Sequence, residues 1–161
     1  MPTYRTLIGF AAAVALVGCA SVKDPFYQFK YPTESYTIGG KVMILATKKC
    51  RSDRKDCVVD VDPTPDPAAN WAPDVIDVNL KAPNSGNIIH WRINDIDNWT
   101  FADPGIVFKN AAGQEQFSCV HTRFVIQCKN GRKAGPYEYK IRVLKNGEGP
   151  PIETDPWVVN Q

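Results

Sequence analysis

A chain of 161 residues in which 43% of side chains are hydrophobic and 22% charged is long enough to bury one core. Nineteen basic against 17 acidic side chains leave a formal charge of +2. That balance excludes the dense basic field that a nucleic-acid binder needs, and a strongly acidic surface as well. The first 18 residues carry a single charge, Arg5, followed by the apolar run "TLIGFAAAVALVG". A membrane-spanning helix needs about 20 apolar residues, and this run is shorter. It has the length of the apolar region of a cleaved secretory leader.

The run closes on Leu16, Val17, Gly18 and Cys19. This "LVGC" resembles the lipobox of bacterial lipoprotein precursors. The resemblance covers residues 1–21 and implies lipidation of the Cys19 sulfur, cleavage between Gly18 and Cys19, and acylation of the new amino group. A thiol suits the first step because its thiolate is a strong nucleophile. One acyl chain holds a protein only marginally, whereas two or three hold it stably. Ala20 after the cysteine, where an aspartate is absent, implies the outer membrane, with the protein facing the periplasm. On this reading residues 1–18 are the leader, 19–34 a lipidated tether and 35–161 the folded domain.

Lipidation of Cys19 leaves Cys50, Cys57, Cys119 and Cys128, an even number suited to an oxidising compartment. Four cysteines allow three connectivities. Hairpin geometry favours the local pairs Cys50–Cys57 and Cys119–Cys128, each closing a short ring.

Strands are expected first at Lys41–Thr47 and Cys57–Val61. Between Cys50 and Cys57 lies the charged loop "RSDRKD", a candidate contact through Arg51, Arg54 and Lys55. The proline-rich "DPTPDPAANWAPD" reads as a loop, because each proline removes a ladder donor and fixes its own φ. Period-two alternation then puts Ile76, Val78 and Leu80 on one face of a strand, and Ile89, Trp91 and Ile93 on one face of the next. "NDIDNWTF" reads as a loop with Asp95, Asp97, Trp99 and Phe101. With Trp71 of the proline-rich segment it makes a second candidate binding region, since amphipathic aromatics in loops are common in recognition surfaces. Strands at Ile106–Lys109, Gln116–Val120 and Phe124–Cys128 follow. In "YEYKIRVL", Tyr137, Tyr139, Ile141 and Val143 face inward, and Trp157–Asn160 makes the last strand. Eight or nine short strands with no convincing helix predict an all-β domain of two packed antiparallel sheets. "GPYEYKIRVL" resembles a late strand of immunoglobulin-like and cupredoxin-like sandwiches, and "NIIHWRI" is similar to the strand that carries their core tryptophan.

Catalytic and metal constellations are thin. Cys119, His121 and His90 invite a copper site, but Cys119-Val120-His121 has the wrong spacing and Cys119 has a disulfide partner in view. No G-x-S-x-G elbow exists for His90 or His121 to serve with Ser85 or Ser118. The carboxylate pairs Asp60/Asp62 and Asp95/Asp97 suit strand ends and turns. "NDIDN" lacks the glycine and terminal glutamate of a calcium loop. The expectation is a non-enzymatic protein with no cofactor and no metal. It is held at the membrane by lipid and binds another envelope or secretion-machinery protein. The alternative is a periplasmic inhibitor or immunity protein that acts on a cell-wall hydrolase through the 51–56 loop.

Overall fold

A computed structural model describes residues 31–50, 54–63, 71–81 and 88–161. Leader, Cys19 and most of the tether lie outside these residues, as does Arg51. The described chain is a sandwich of two sheets. Its strands are β1 (Thr33–Ile38), β2 (Lys41–Cys50), β3 (Asp56–Val61), β4 (Val75–Val78), β5 (Ile88–Ile93) and β6 (Trp99–Phe108). A short helix, α1 (Ala111–Gln116), precedes β7 (Phe117–His121), β8 (Val125–Asn130), β9 (Gly135–Lys145), β10 (Glu148–Thr154) and β11 (Trp157–Asn160). The larger sheet runs β1-β2-β4-β11-β9-β10 with β6 also paired to β9, and the smaller runs β3-β5-β8-β7.

Both sheets are mixed, which corrects the purely antiparallel expectation. The pairs β2–β4, β4–β11 and β3–β5 are parallel. Chain order explains two of them. β2 is followed by a strand of the opposite sheet before β4 returns beside it, and β3 and β5 flank β4 in the same way. A strand that returns to its sheet after such an excursion runs in its former direction. The two crossovers interlock the sheets.

Alternation puts Val59, Val61, Ile76, Val78, Trp91, Ile126, Tyr139, Ile141, Val143 and Val158 inside, each without measurable exposure. At the centre Trp91 Nε1 donates to the Tyr139 hydroxyl at 3.1 Å, and the rings meet edge to face at 5.4 Å. One hydrogen bond therefore spans the sandwich and satisfies both buried polar groups. Phe108 stacks on Phe117 at 4.1 Å, closing the core beside α1.

Both disulfides pair as expected, Cys50–Cys57 and Cys119–Cys128. Only the second crosses a hairpin, β7–β8, where the two cysteines are register partners. The first joins β2 of the larger sheet to β3 of the smaller.

Four elements depart from the sequence reading. β1 begins at Thr33, so two residues assigned to the tether are strand. Tyr31 is buried ahead of it, with its hydroxyl donating to the Asp60 carbonyl at 2.8 Å. The loop expected at 94–101 ends at Trp99, which starts β6. β10 was not foreseen, nor was α1. Asn110 caps that helix by accepting from the Gly113 amide at 2.8 Å. Glycine is required at 113 because a Cβ there would lie 2.9 Å from Phe108 Cβ.

Candidate binding surface

The β1–β2 hairpin turns on Gly39 and Gly40, at φ +59° and +78°. Two successive positive φ values define the tight turn whose twist matches a hairpin, and glycine adopts them without strain. β2 then reads Lys41, Val42, Met43, Ile44, Leu45, with four apolar residues in succession. A strand with apolar residues at both parities has no polar face, and the structure shows two different fates for them.

Met43 and Leu45 turn to the outer face of the larger sheet. There they pack with Tyr36, Ile38, Val75, Trp157 and Val159 in a second, smaller apolar cluster. An open groove of about 470 Å³ lies at its end, lined by Ile38, Gly39, Lys41, Met43, Pro136 and Trp157. Asp77 borders this cluster and accepts from the Tyr36 hydroxyl and from Gln161 Nε2, both at 3.0 Å. Burial pushes the Asp77 carboxyl above the usual aspartate range, and the Tyr36 hydrogen bond opposes that only in part.

Val42 and Ile44 take the opposite parity. They stand on the side that faces the smaller sheet further along the strand, where Cys50 joins the core. At the hairpin nothing described covers them, and they are 72% and 76% exposed. Their cross-strand neighbours Thr37 and Ser35 are exposed too. Two large aliphatic side chains, adjacent and uncovered beside an edge strand, form the most conspicuous contact surface among the described residues.

The sites expected from sequence lie elsewhere and do not converge. Arg54 and Lys55 are exposed at the entry to β3. Trp71 is half-buried against the core. Asp95 and Asp97 are exposed, and Asp95 accepts from the Asn98 side chain at 3.0 Å, which makes it a turn-holding carboxylate. Trp99 and Phe101 are core residues of β6, correcting their expected display in a loop.

Chemistry finds little purchase. Cys119 is oxidised with Cys128, which removes the thiolate that a copper site would need. Among the described residues no three His, Cys, Asp or Glu side chains group so as to hold a metal ion. His90 lies on the outer face of the smaller sheet with its Nε2 3.7 Å from Asp56. His121 sits in an open cleft of about 290 Å³ with Phe101, Ala102, Asp103, Thr122 and Arg123. The Thr122 hydroxyl there is committed to the Val125 backbone in both directions, and His121 Nδ1 accepts from the Gly105 amide. Neither group is poised as a nucleophile–base pair.

These features define a class, a disulfide-bonded β-sandwich with exposed aliphatic side chains at one hairpin. Compared with known proteins, the chain matches no family model and no curated protein sequence.

Proposed function

We propose that this protein is a lipid-anchored envelope module that binds another envelope or secretion-machinery protein without turnover, and that Val42 and Ile44 are the centre of the contact. The observation that carries the reading is the exposure of those two side chains on one face of the β1–β2 hairpin. Burying both fully would contribute on the order of 3–5 kcal/mol to association before its entropic costs. The lipobox-like "LVGC" supports the anchor at Cys19, on the outer membrane and facing the periplasm. The two disulfides support an oxidising compartment.

Two measurements test the two halves separately. Mass spectrometry of protein made in its native bacterium should find acyl chains on Cys19, and Cys19→Ala should abolish them. A photo-crosslinking residue at position 44 should give one defined heterologous adduct in intact envelopes. The same residue at Val120, exposed on the other sheet, should give none. Ile44→Asp should remove partner capture by a tagged chain while leaving the melting temperature within about 2 °C, since the side chain is largely exposed. Adducts at position 120 alone would move the contact to the smaller sheet and overturn the assignment.

A further inference from the structure

Among the described residues, the strands at the borders of the two sheets each carry a feature that hinders pairing with another chain, with one exception. β6 carries Pro104 and a break in register between Phe101 and Ile106. β10 carries Pro150 and Pro151 and a break between Glu148 and Ile152. On the outer side of β3 the Asp60 carbonyl is taken by the Tyr31 hydroxyl. β7 lies against β6 and α1, and its His121 is tied to the Gly105 amide. Prolines, bulges and covering elements are the usual devices that stop an edge strand from pairing with another chain. Among the described residues β1 has none of them. Its register with β2 is unbroken from Thr33 to Ile38, and among the described residues it pairs with β2 alone. Its one charge, Glu34, is matched by Lys49 at 2.7 Å.

The free edge has a definite polarity. In a two-residue hairpin the closing pair, here Ile38 and Lys41, exchanges hydrogen bonds. Pairing then alternates, so Glu34, Tyr36 and Ile38 spend their backbone groups on β2. Thr33, Ser35 and Thr37 direct theirs outward. The outward set reads Thr-Ser-Thr in either direction, centred on Ser35. An antiparallel strand of the same sequence therefore fits it with full overlap. Ser35 opposes Ser35 of a second copy, Thr33 opposes Thr37, and Glu34 opposes Tyr36 rather than another glutamate. Shifting by one pairing step towards the N-terminus would set Glu34 against Glu34, and the opposite shift would lose one of the three bonded pairs.

We infer that β1 pairs antiparallel with β1 of a second copy of this chain, about a two-fold axis through Ser35, joining the larger sheets of two molecules into one. Hydroxyl-bearing residues then line the seam, a favourable cross-strand combination. Because the axis is perpendicular to the sheet, Val42 and Ile44 of both copies fall on the same side, one pair on each flank of the seam. The pairing uses the edge of the hairpin and leaves its apolar face available. It is an isologous contact and closes at two molecules.

Cysteine pairing reads the register directly. Cα atoms of a hydrogen-bonded antiparallel pair lie about 5.5 Å apart, within the range of a disulfide. Ser35→Cys, in the full chain expressed in native envelopes, should give a covalent dimer on a non-reducing gel. The unsubstituted chain is the baseline for Cys19. Thr33→Cys and Thr37→Cys should each stay monomeric alone and give a dimer when co-expressed. Two results overturn the inference. One is a monomeric Ser35→Cys together with a monomeric Thr33→Cys/Thr37→Cys mixture. The other is self-crosslinking of all three variants alike, which would mean parallel or random encounter. Neither result bears on the anchor, which the Cys19 measurement decides, or on the heterologous contact, which position 44 decides.

Discussion

The Tyr139 hydroxyl accepts the Trp91 indole N–H in the closed core, so the two residues must be considered together. Tyr139→Phe leaves the indole N–H in the core without an acceptor. An unmet buried donor costs about 1–3 kcal/mol, and urea denaturation should show a loss of that order with an unchanged m-value. Trp91→Phe should cost more, because it opens a cavity as well as removing the donor. Asp77 governs a different property. Its carboxyl titrates higher in the folded chain than in the unfolded one, and the cause is burial. The folded state therefore binds the proton more tightly, and this residue's contribution to stability falls as pH rises from the normal aspartate range through the raised value. Asp77→Asn should remove that slope and be neutral to stabilising at pH 7, since an amide oxygen still accepts from Tyr36 and Gln161. Glu153 works in the opposite sense, held below its usual range by Lys140 and Arg142. For that reason the wild-type minus variant difference, measured by urea midpoints from pH 4 to pH 7, is the quantity to follow.

At the scale of elements, the ring closed by Cys50 and Cys57 replaces a hairpin as the link between β2 and β3. In the chain-entropy description a loop this short stabilises by about 2–3 kcal/mol. The double variant Cys50→Ala/Cys57→Ala should lose about that much in chemical denaturation. It should lose it by loosening the two sheets from one another, with faster hydrogen exchange in β2 and β3 than in β7 and β8. Alternation made β4, β5, β9 and β11 legible in the sequence, and β11 has the bounds expected for it. The strands expected at Lys41–Thr47, Cys57–Val61, Gln116–Val120 and Phe124–Cys128 are β2, β3, β7 and β8 with slightly shifted ends. The remaining elements were missed for separate reasons. β1 places Thr, Ser and Thr on one side and Glu34, Tyr36 and Ile38 on the other, with too few apolar residues to stand out from a tether. β10 is masked by Pro150 and Pro151, which an edge strand tolerates. In β6 Asp103 and Pro104 separate aromatic residues from aliphatic ones, although both groups belong to one strand. Parallel pairing depends on which sheet each strand joins, and no local pattern records that. The contact surface did leave a signal in "VMIL", four apolar residues in succession within a strand. What the sequence could not supply is that one parity of that run is left uncovered.

Taken whole, the molecule balances near-neutral charge with a surface crossed by short ion pairs. These include Lys109 with Glu138 at 2.6 Å and Arg142 with Glu153 at 3.0 Å. Such exposed pairs contribute little to stability, so the sandwich rests on its core and its two disulfides. The larger sheet also holds its strands in an order unlike that of the chain. β11 is inserted between β4 and β9, pairing parallel with one and antiparallel with the other. The Gln161 amide after it bonds the Val78 carbonyl at 2.9 Å. The keystone of the arch thus leaves the ribosome after both of the strands that it joins. A nascent chain halted at Asp155 has a gap in mid-sheet and should be cut readily by protease, whereas one extended past residue 161 should resist.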